Sequence, residues 1–455
     1  MPEAKSFSFE ALEERFDEML DAVLSSRRTA REPALALSVC TRTQQEFTLH
    51  WLEVIIRTNS EMGFQFVRHA ARAFEFMDLR QVEDWIINAM DVYDRQGLYP
   101  RKDMKTVASF KIQYTQFLDQ EGEEVRPLPA EITDTQLAEC YRDMVFCRVF
   151  DKKAVALQRT GRISTYAPLI GQEAVDVGIA HAMQRDDVFL PYYRNTGTQI
   201  LRGVSLIETL LYFGGDERGT AFKETRQDFP TQINLSTQTP HAVGVAMAMK
   251  LQGEPHVAVT TVGDGACSKG DFYEAMNLAG VWGAPVLFIA MNNQWAISVP
   301  YESQTAAETL AQKAIAAGIG SEQVDGNDVV AVYNGVDRAL ALIREGKGPY
   351  LIELKTYRLG DHTTADNASR YRPDKEVSEA WKRDPIARLR AYLSARGLWT
   401  KDQEEKLLTE MDQRIEAAVE QYLAIEAPRP AGMVEHLFAE LPPDLEVQRK
   451  ILDGM

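Results

Sequence analysis

An aspartate between two glycines, and a pair of asparagines further along the chain, are the residues best suited to chemistry. Asp264 follows the apolar segment HVAVTTV and stands between Gly263 and Gly265. After a helix-like segment and a second apolar run, PVLFIAM, the chain reads Asn292-Asn293. Parallel strands present their carboxyl ends at one edge of a sheet, so we expect Asp264 and Asn293 to face the same ligand.

The chemistry that this spacing favours is the binding of a diphosphate through a divalent cation. The two glycines let the backbone approach phosphates, and the helix that follows presents its N-terminal amides to the anion. Mg²⁺ takes about six hard oxygen ligands and shares them with phosphates and water. The carboxylate of Asp264, the amide oxygen of Asn293 and a nearby backbone carbonyl would supply part of that array. A bare Gly-Asp-Gly is usually a surface turn, so the order of strand, helix, strand and Asn-Asn carries the prediction.

The elements that must position these residues lie downstream of about residue 161, where the spacing of apolar residues changes. Short apolar segments alternate there with helix-length ones, and we expect strands over residues 188–192, 256–262, 285–291 and 350–357. This alternation predicts an α/β fold in which a mostly parallel sheet is flanked by helices.

Four regions follow from this pattern. Apolar residues between Asp78 and Pro100 recur at helical spacing, so an all-helical N-terminal region is expected to precede the sheet. A polar, turn-rich stretch over residues 119–129 then indicates a linker or arm ahead of one helix. We therefore expect a helical extension, a linker with its helix, the α/β domain and a charged C-terminal helical region, over residues 1–103, 104–160, 161–383 and 384–455.

The composition excludes several classes of protein. A formal net charge of −17 opposes binding to nucleic acid, whose phosphates attract clustered Lys and Arg. The four cysteines, Cys40, Cys140, Cys147 and Cys267, are too few and too scattered for a disulfide framework or a four-thiolate metal site. Because no signal-like segment and no apolar stretch of membrane length is found, we expect a cytoplasmic protein without a membrane partner.

Several ordered segments beyond the central motif resemble one enzyme family. That family is the alpha subunit of the thiamine diphosphate-dependent decarboxylating component of 2-oxo acid dehydrogenase complexes. The resemblance runs from about residue 107 to about residue 441, and the first hundred residues are atypical of the family. Among the segments that carry it are YAPLIGQE, PYYR, QTPHAVG, QWAIS, VDGND and DHTTAD, at residues 166–173, 191–194, 238–244, 294–298, 324–328 and 361–366.

The resemblance implies a thiamine diphosphate-binding fold and a role for particular residues. By it, Asp264 and Asn293 bind Mg²⁺ through their side chains, and Trp295 binds it through its backbone carbonyl. Tyr193 and Arg194 resemble the pair that contacts the diphosphate. The further cofactor-binding residues that it implies are Ile233, Leu235, Gly263, Gly265, Ala266 and His362.

His362 and Arg194 have simpler interpretations that compete with these roles. His362 resembles the family's active-site histidine, which contacts the cofactor and helps reductive acyl transfer, although a lone histidine is more often structural. A guanidinium can hold phosphate oxygens in a bidentate fork, but an arginine is most often a surface charge. His241 follows a proline at a helix start, where a capping residue and a cofactor contact are equally good interpretations.

The same resemblance implies an oxidoreductase made of more than one subunit. It implies oxidative decarboxylation of a 2-oxo acid, with transfer of the acyl group to a lipoyl group. The chain has one domain of the diphosphate-binding type, so the glutamate that starts the proton relay would come from a beta subunit in an α₂β₂ heterotetramer. The further partner is a lipoylated acyltransferase component. Residues 162–166 and 304–313 resemble pyruvate-type subunits, so pyruvate is favoured over branched-chain 2-oxo acids and over acetoin.

Some positions depart from the family's pattern, and a rival function stays open. Met291 stands where some relatives have an arginine that helps hold the diphosphate, and Lys269 stands where an acidic or amide residue is common. Cys267, at a possible helix start, is interpreted as a small packed residue, because the proposed chemistry needs no thiol. The rival is a non-catalytic regulatory or interaction protein that retains the fold.

Overall fold

A parallel sheet organises the part of the chain that the computed structural model describes, which is residues 108–435 and 437–454. The expected helical extension over residues 1–103 lies outside these residues. Within them, the sheet has six strands in the order β1-β7-β8-β4-β3-β2, and every pairing is parallel. The strands are β1 (Tyr114–Thr115), β2 (Val188–Leu190), β3 (Ala258–Gly263), β4 (Val286–Asn292), β7 (Gly320–Asp325) and β8 (Tyr350–Lys355). A separate antiparallel ribbon pairs β5 (Trp295–Ala296) with β6 (Val299–Pro300).

Helices follow most of the strands and cover the sheet. In chain order they are α1 (Asp134–Arg159), α2 (Glu173–Ala182), α3 (Thr196–Arg202), α4 (Leu206–Phe213), α5 (Gln238–Gln252), α6 (Gly270–Trp282), α7 (Lys313–Ala316), α8 (Val329–Arg344), α9 (Asp374–Trp381), α10 (Pro385–Ala395), α11 (Lys401–Leu423), α12 (Gly432–Glu435) and α13 (Pro443–Asp453). In the described part of the chain, no helix is both long and apolar enough to cross a membrane.

The central strand β4 is buried along its whole length, because each of its faces belongs to a different hydrophobic core. Leu287, Ile289 and Met291 pack in one core with α1, α2, α8 and α11. Phe288 and Ala290 pack in the other core with α5 and α6. Side chains of a strand alternate between its two faces, so this arrangement explains why the strand reads as a continuous apolar run. The predicted α/β fold is confirmed.

The expected elements agree with the structure at several points. The helix expected after the linker is α1, and Thr133 and Gln136 form a reciprocal capping box at its start. Each of the four expected strands is present, with ends that differ by a few residues. The described residues from Phe110 onward form one compact unit, and the boundaries expected at residues 160 and 383 stay predictions.

Two strands of the six-stranded sheet, β1 and β7, were not predicted from the sequence, and neither were the two short strands of the ribbon. The segment GSEQVD of β7 has no apolar run, since Glu322 occupies a buried position in it. Thr115 of β1 donates a hydrogen bond to Glu322 over 3.1 Å, and Arg338 of α8 forms an ion pair with the same carboxylate. Both partners contact the Oε2 atom of Glu322 from other elements, while its Oε1 atom has no partner among the described residues.

Asp328 joins the start of α8 to the segment that follows β1, and its side chain is fully buried. One carboxylate oxygen caps the helix by accepting from the amides of Val330 and Ala331 over 3.0 and 3.3 Å. The other accepts from the amides of Phe117 and Leu118 over 2.7 and 2.8 Å. Both oxygens are therefore used to satisfy buried backbone donors.

We predict that Asp328→Ala lowers the free energy of unfolding by about 3 to 5 kcal/mol, since a cap is lost and two further buried amides lose their acceptor. Thr133→Ala, which removes an exposed cap, is the control and is expected to cost about 1 kcal/mol. Urea unfolding followed by circular dichroism measures both. Equal losses in the two variants would show that Asp328 is only a helix cap.

Candidate active site

A cavity of about 810 Å³ opens at the carboxyl ends of β2, β3 and β4. Every residue to which the family resemblance gave a role at the site lines it, together with others such as Tyr192 and Thr363. Those residues are Tyr193, Arg194, Ile233, Leu235, Gly263, Asp264, Gly265, Ala266, Asn293, Trp295 and His362. The structure thus brings together in one cavity residues that are up to about 170 positions apart, and their individual roles stay predictions.

The ends of β3 and β4 bring Asp264 and Asn293 together. The two strands are neighbours in parallel register, with Gly263 opposite Met291, which confirms the adjacency expected from the sequence. Both side chains are buried. Gln304 donates a hydrogen bond from Nε2 to the Oδ2 atom of Asp264 over 3.0 Å. Burial raises the pKa of Asp264, so a carboxylate at this position needs a nearby positive charge or further donors.

The amide of Asn293 is oriented by a residue from another part of the chain. Its Nδ2 atom donates to the Oε1 atom of Gln172 over 3.3 Å, and its Oδ1 atom accepts from the amide of Trp295 over 3.3 Å. Gln172 is fully buried just before α2. With Nδ2 engaged by a glutamine, Oδ1 is the atom of Asn293 that is left to act as a ligand.

The glycines beside Asp264 differ in what the structure requires of them. A Cβ atom at Gly265 would lie 2.5 Å from the Cβ atom of Ala296, so the turn can pack against the β5 ribbon only with glycine there. A Cβ atom at Gly263 would meet only the ring of Tyr192, at an ordinary contact distance of 3.5 Å. A short 3₁₀ turn follows Asp264, and α6 begins only at Gly270. The amides closest in sequence to Asp264 therefore belong to that turn and not to the helix, contrary to the expectation.

Trp295 occupies a buried position on β5, and both its indole ring and its carbonyl oxygen form hydrogen bonds. Its indole Nε1 atom donates to Glu376 over 2.9 Å. Its carbonyl oxygen, the third expected metal ligand, accepts a hydrogen bond from the Nη1 atom of Arg358 over 3.0 Å. A cation on the same oxygen would have to use the second lone pair and would be repelled by the guanidinium.

His362 lies between two buried guanidinium groups. Its Nδ1 atom is 3.2 Å from Nη2 of Arg194 and 3.3 Å from Nη1 of Arg358. A guanidinium can only donate, so Nδ1 is the acceptor and the ring proton is on Nε2. Burial, followed by the charges of Arg194 and Arg358, lowers the pKa of His362 to about 3. The imidazole is therefore neutral at physiological pH.

Polar atoms without partners and an apolar rim complete the cavity. Arg194 also donates from Nη1 to the carbonyl of Pro168 over 2.6 Å, yet its buried Nε has no partner among the described residues, and neither has the hydroxyl of Tyr192. Ile233 and Leu235 line the cavity with 68% and 46% of their surface exposed, so this chain leaves that wall open to solvent.

Three polar residues of the site were missed in the sequence. Gln172 and Gln304 support Asn293 and Asp264, and Arg358 contacts both His362 and the Trp295 carbonyl. Arg358 carried the clearest signal, because it is a charged residue that comes soon after the buried strand β8, near a carboxyl end.

The positions that depart from the family's pattern have local partners. The Sδ atom of Met291 accepts a hydrogen bond from Asn195 over 3.2 Å, and Lys269 donates to the carbonyl of Leu235 over 2.9 Å. Cys267 is fully buried, and burial raises the pKa of its thiol, which agrees with a packed residue. His241 is exposed on α5 and does not line the cavity.

The parallel sheet, its covering helices and the cavity at the strand ends define an α/β protein with a candidate ligand cavity at the carboxyl edge of the sheet. Residues 141–431 match the family model described as the dehydrogenase E1 component. The pyruvate dehydrogenase E1 component subunit alpha of Staphylococcus aureus strain Mu50 is 40% identical over 343 residues, which is 75% of this chain and 93% of the relative. The same-named subunit of Staphylococcus epidermidis strain ATCC 12228 is 39% identical over the same coverage. The chain belongs to the dehydrogenase E1 component family, and the resemblance drawn from the sequence is confirmed.

We predict that the ring of His362 stays neutral, with its proton on Nε2, from pH 8 down to about pH 5. Nitrogen NMR of histidine-labelled protein measures this, and His362→Gln identifies the signal. The unfolded chain takes up this proton near pH 6.5, whereas the folded chain resists it to about pH 3. The free energy of unfolding therefore decreases as the pH falls through that window, because the unfolded chain binds a proton that the folded chain does not. A ring that titrates near pH 6.5 would contradict the arrangement.

Proposed function

We propose that the chain is the alpha subunit of a thiamine diphosphate- and Mg²⁺-dependent 2-oxo acid dehydrogenase, with pyruvate as the favoured substrate. The observation that carries this proposal is that Asp264 and Asn293, at adjacent parallel strand ends, share one cavity with Arg194 and His362. The relatives named pyruvate dehydrogenase E1 component subunit alpha support the substrate. Branched-chain 2-oxo acids are the next candidates, because one or two methylenes in an apolar pocket change discrimination by only about 1 to 3 kcal/mol.

The donor set suits Mg²⁺ bound together with a diphosphate. Asp264 would give a carboxylate oxygen, Asn293 its Oδ1 atom and Trp295 its carbonyl, all of them hard oxygens of the kind that Mg²⁺ prefers. No group of three or more His, Cys, Asp or Glu side chains within residues 108–435 and 437–454 is arranged to hold a metal. The proposed set has a single carboxylate, so the charges of the diphosphate would supply much of the attraction for the ion.

The remaining cavity residues suit the rest of the cofactor. Arg194, whose buried Nε has no partner, and Tyr193 would contact the diphosphate, while Gly263, Gly265 and Ala266 form the turn beside it. Ile233 and Leu235 would support the ring system with apolar surface. Thiamine diphosphate supplies the electron sink that allows a 2-oxo acid to lose CO₂.

His362 would act at its Nε2 atom. Because Arg194 and Arg358 occupy Nδ1, the proton on Nε2 is available to a bound group. A neutral imidazole can donate a hydrogen bond there and move a proton while the acyl group is transferred to a lipoyl group. The guanidinium groups hold the ring in this tautomer.

The proposal requires two partners. Family membership implies a beta subunit, which would supply the glutamate for the proton relay, and a lipoylated acyltransferase component. The open apolar wall at Ile233 and Leu235 is consistent with a cavity that a second subunit closes. We infer an α₂β₂ heterotetramer and a cytoplasmic enzyme.

Turnover tests this function against the rival of a non-catalytic scaffold. The chain is co-produced with the beta subunit from the same genome, and ferricyanide reduction is followed with pyruvate and 3-methyl-2-oxobutanoate. We expect turnover of pyruvate that stops when EDTA removes the divalent ion and returns with Mg²⁺. A correctly assembled complex that turns over neither substrate would support the scaffold.

We predict that Asp264→Ala abolishes the Mg²⁺-dependent binding of thiamine diphosphate by the assembled complex, because the only proposed anionic ligand is lost. Isothermal titration calorimetry measures the affinity with Mg²⁺ and with EDTA. Asp271→Ala is the matched control, since this half-buried aspartate on α6 pairs only with Lys269 among the described residues. Normal binding by the Asp264 variant would show that the site is assigned wrongly.

A further inference from the structure

Outside the cofactor cavity, a thiol, an imidazole and a carboxylate form a chain of contacts between α1 and α2. The Sγ atom of Cys140 lies 3.8 Å from Nδ1 of His181, and the Nε2 atom of His181 lies 2.7 Å from Oδ2 of Asp143. Cys140 and Asp143 are three residues apart on α1, so the helix presents them on one face. His181 is in the last turn of α2, which packs against that face. None of the three lines the cofactor cavity.

The geometry distinguishes this cluster from a metal site. Cys140 and Asp143 contact opposite ring nitrogens of His181, so their ligand atoms do not converge on one point. A carboxylate that holds one ring nitrogen while the other faces a thiol is instead the arrangement that activates a cysteine.

The imidazole beside the sulfur of Cys140 is the ring of His181. Burial opposes protonation of His181, but the hydrogen bond to Asp143 and the contact with Cys140 outweigh it and raise the pKa of His181 to about 10. The imidazole beside the sulfur is therefore a cation at neutral pH. Tyr333 of α8 and Glu139 of α1 also face the same small cavity, and only Glu139, which is exposed, brings an opposing charge.

Access to the sulfur is restricted to small molecules. Cys140 is 7% exposed and, with His181, lines a cavity of about 90 Å³. That space has room for a few molecules of about the size of water. Hydrogen peroxide fits such a space and a peptide thiol or disulfide does not.

Cys147 and Cys267 are also buried, but burial raises the pKa of each thiol well above its usual range and no histidine is recorded beside either sulfur.

We infer that Cys140 is a modification site that reacts selectively with small hydroperoxides, with His181 and Asp143 as positioning residues. The thiolate sulfur attacks one peroxide oxygen, a sulfur–oxygen bond forms and the oxygen–oxygen bond breaks. The sulfur is oxidised by two electrons to a sulfenic acid, and the peroxide is reduced. The departing hydroxide takes the proton of the His181 imidazolium and leaves as water. This inference does not depend on the proposed function of the cofactor cavity.

Site-resolved labelling tests the inference on the full chain in its assembled complex. The complex is treated with limiting hydrogen peroxide, sulfenic acids are trapped with a cyclic 1,3-dione, and mass spectrometry gives a rate for each cysteine. We expect Cys140 to be labelled at least ~10-fold faster than Cys147 and Cys267, because of these three sulfurs only that of Cys140 contacts an imidazole. Equal rates would overturn the inference.

Variants separate activation from simple exposure. His181→Gln keeps a polar side chain but removes the cation, and we expect it to slow the labelling of Cys140 about 10-fold without changing the other two cysteines. His256→Gln, at a half-buried histidine just before β3, is the matched control and should change none of the rates. An unchanged Cys140 rate in His181→Gln overturns the inference. If His181→Gln unfolds and the labelling rates of all three cysteines rise, Asp143→Asn is measured instead. We expect Asp143→Asn to slow the labelling of Cys140 to the same extent. An unchanged Cys140 rate in that variant also overturns the inference.

Discussion

The parallel pairing of β3 and β4 is the constraint on which the rest of the site depends. It places Gly263 opposite Met291, so the residues that follow, Asp264 and Asn293, emerge at the same edge of the sheet. Both strands are buried between two hydrophobic cores, and a shift in their register would turn apolar side chains toward the wrong core. The cost of disturbing that packing is what holds the two oxygen-bearing side chains in place.

Around this edge, the chain gathers buried positive charge in a protein that is acidic as a whole. Arg194 and Arg358 are both almost completely buried, and each donates to His362. Burial and the neighbouring Arg194 lower the pKa of Arg358, so the surroundings of Arg358 do not fully compensate its charge. Buried charges without partners are costly, so an anionic cofactor would stabilise the arrangement as it binds. The neutral state of His362 is a further consequence of the same two charges.

The sequence was sufficient for the features that depend on local pattern. Apolar runs identified β2, β3, β4 and β8, and the residues directly after β3 and β4 identified Asp264 and Asn293. Features that depend on distant partners were missed. β7 was missed because its buried Glu322 interrupts the apolar pattern, and the partners of that carboxylate, Thr115 and Arg338, lie on other elements. Gln172 was not recognised as a support for Asn293, because 121 positions separate them.

The most direct test of the central claim is to locate the metal itself. Crystals of the assembled complex with thiamine diphosphate, and with Mn²⁺ in place of Mg²⁺, give an anomalous scattering peak that identifies the ion. The account predicts one peak within about 2.5 Å of a carboxylate oxygen of Asp264 and of Oδ1 of Asn293, with the diphosphate on its far side. A metal–diphosphate peak away from either side chain would contradict it.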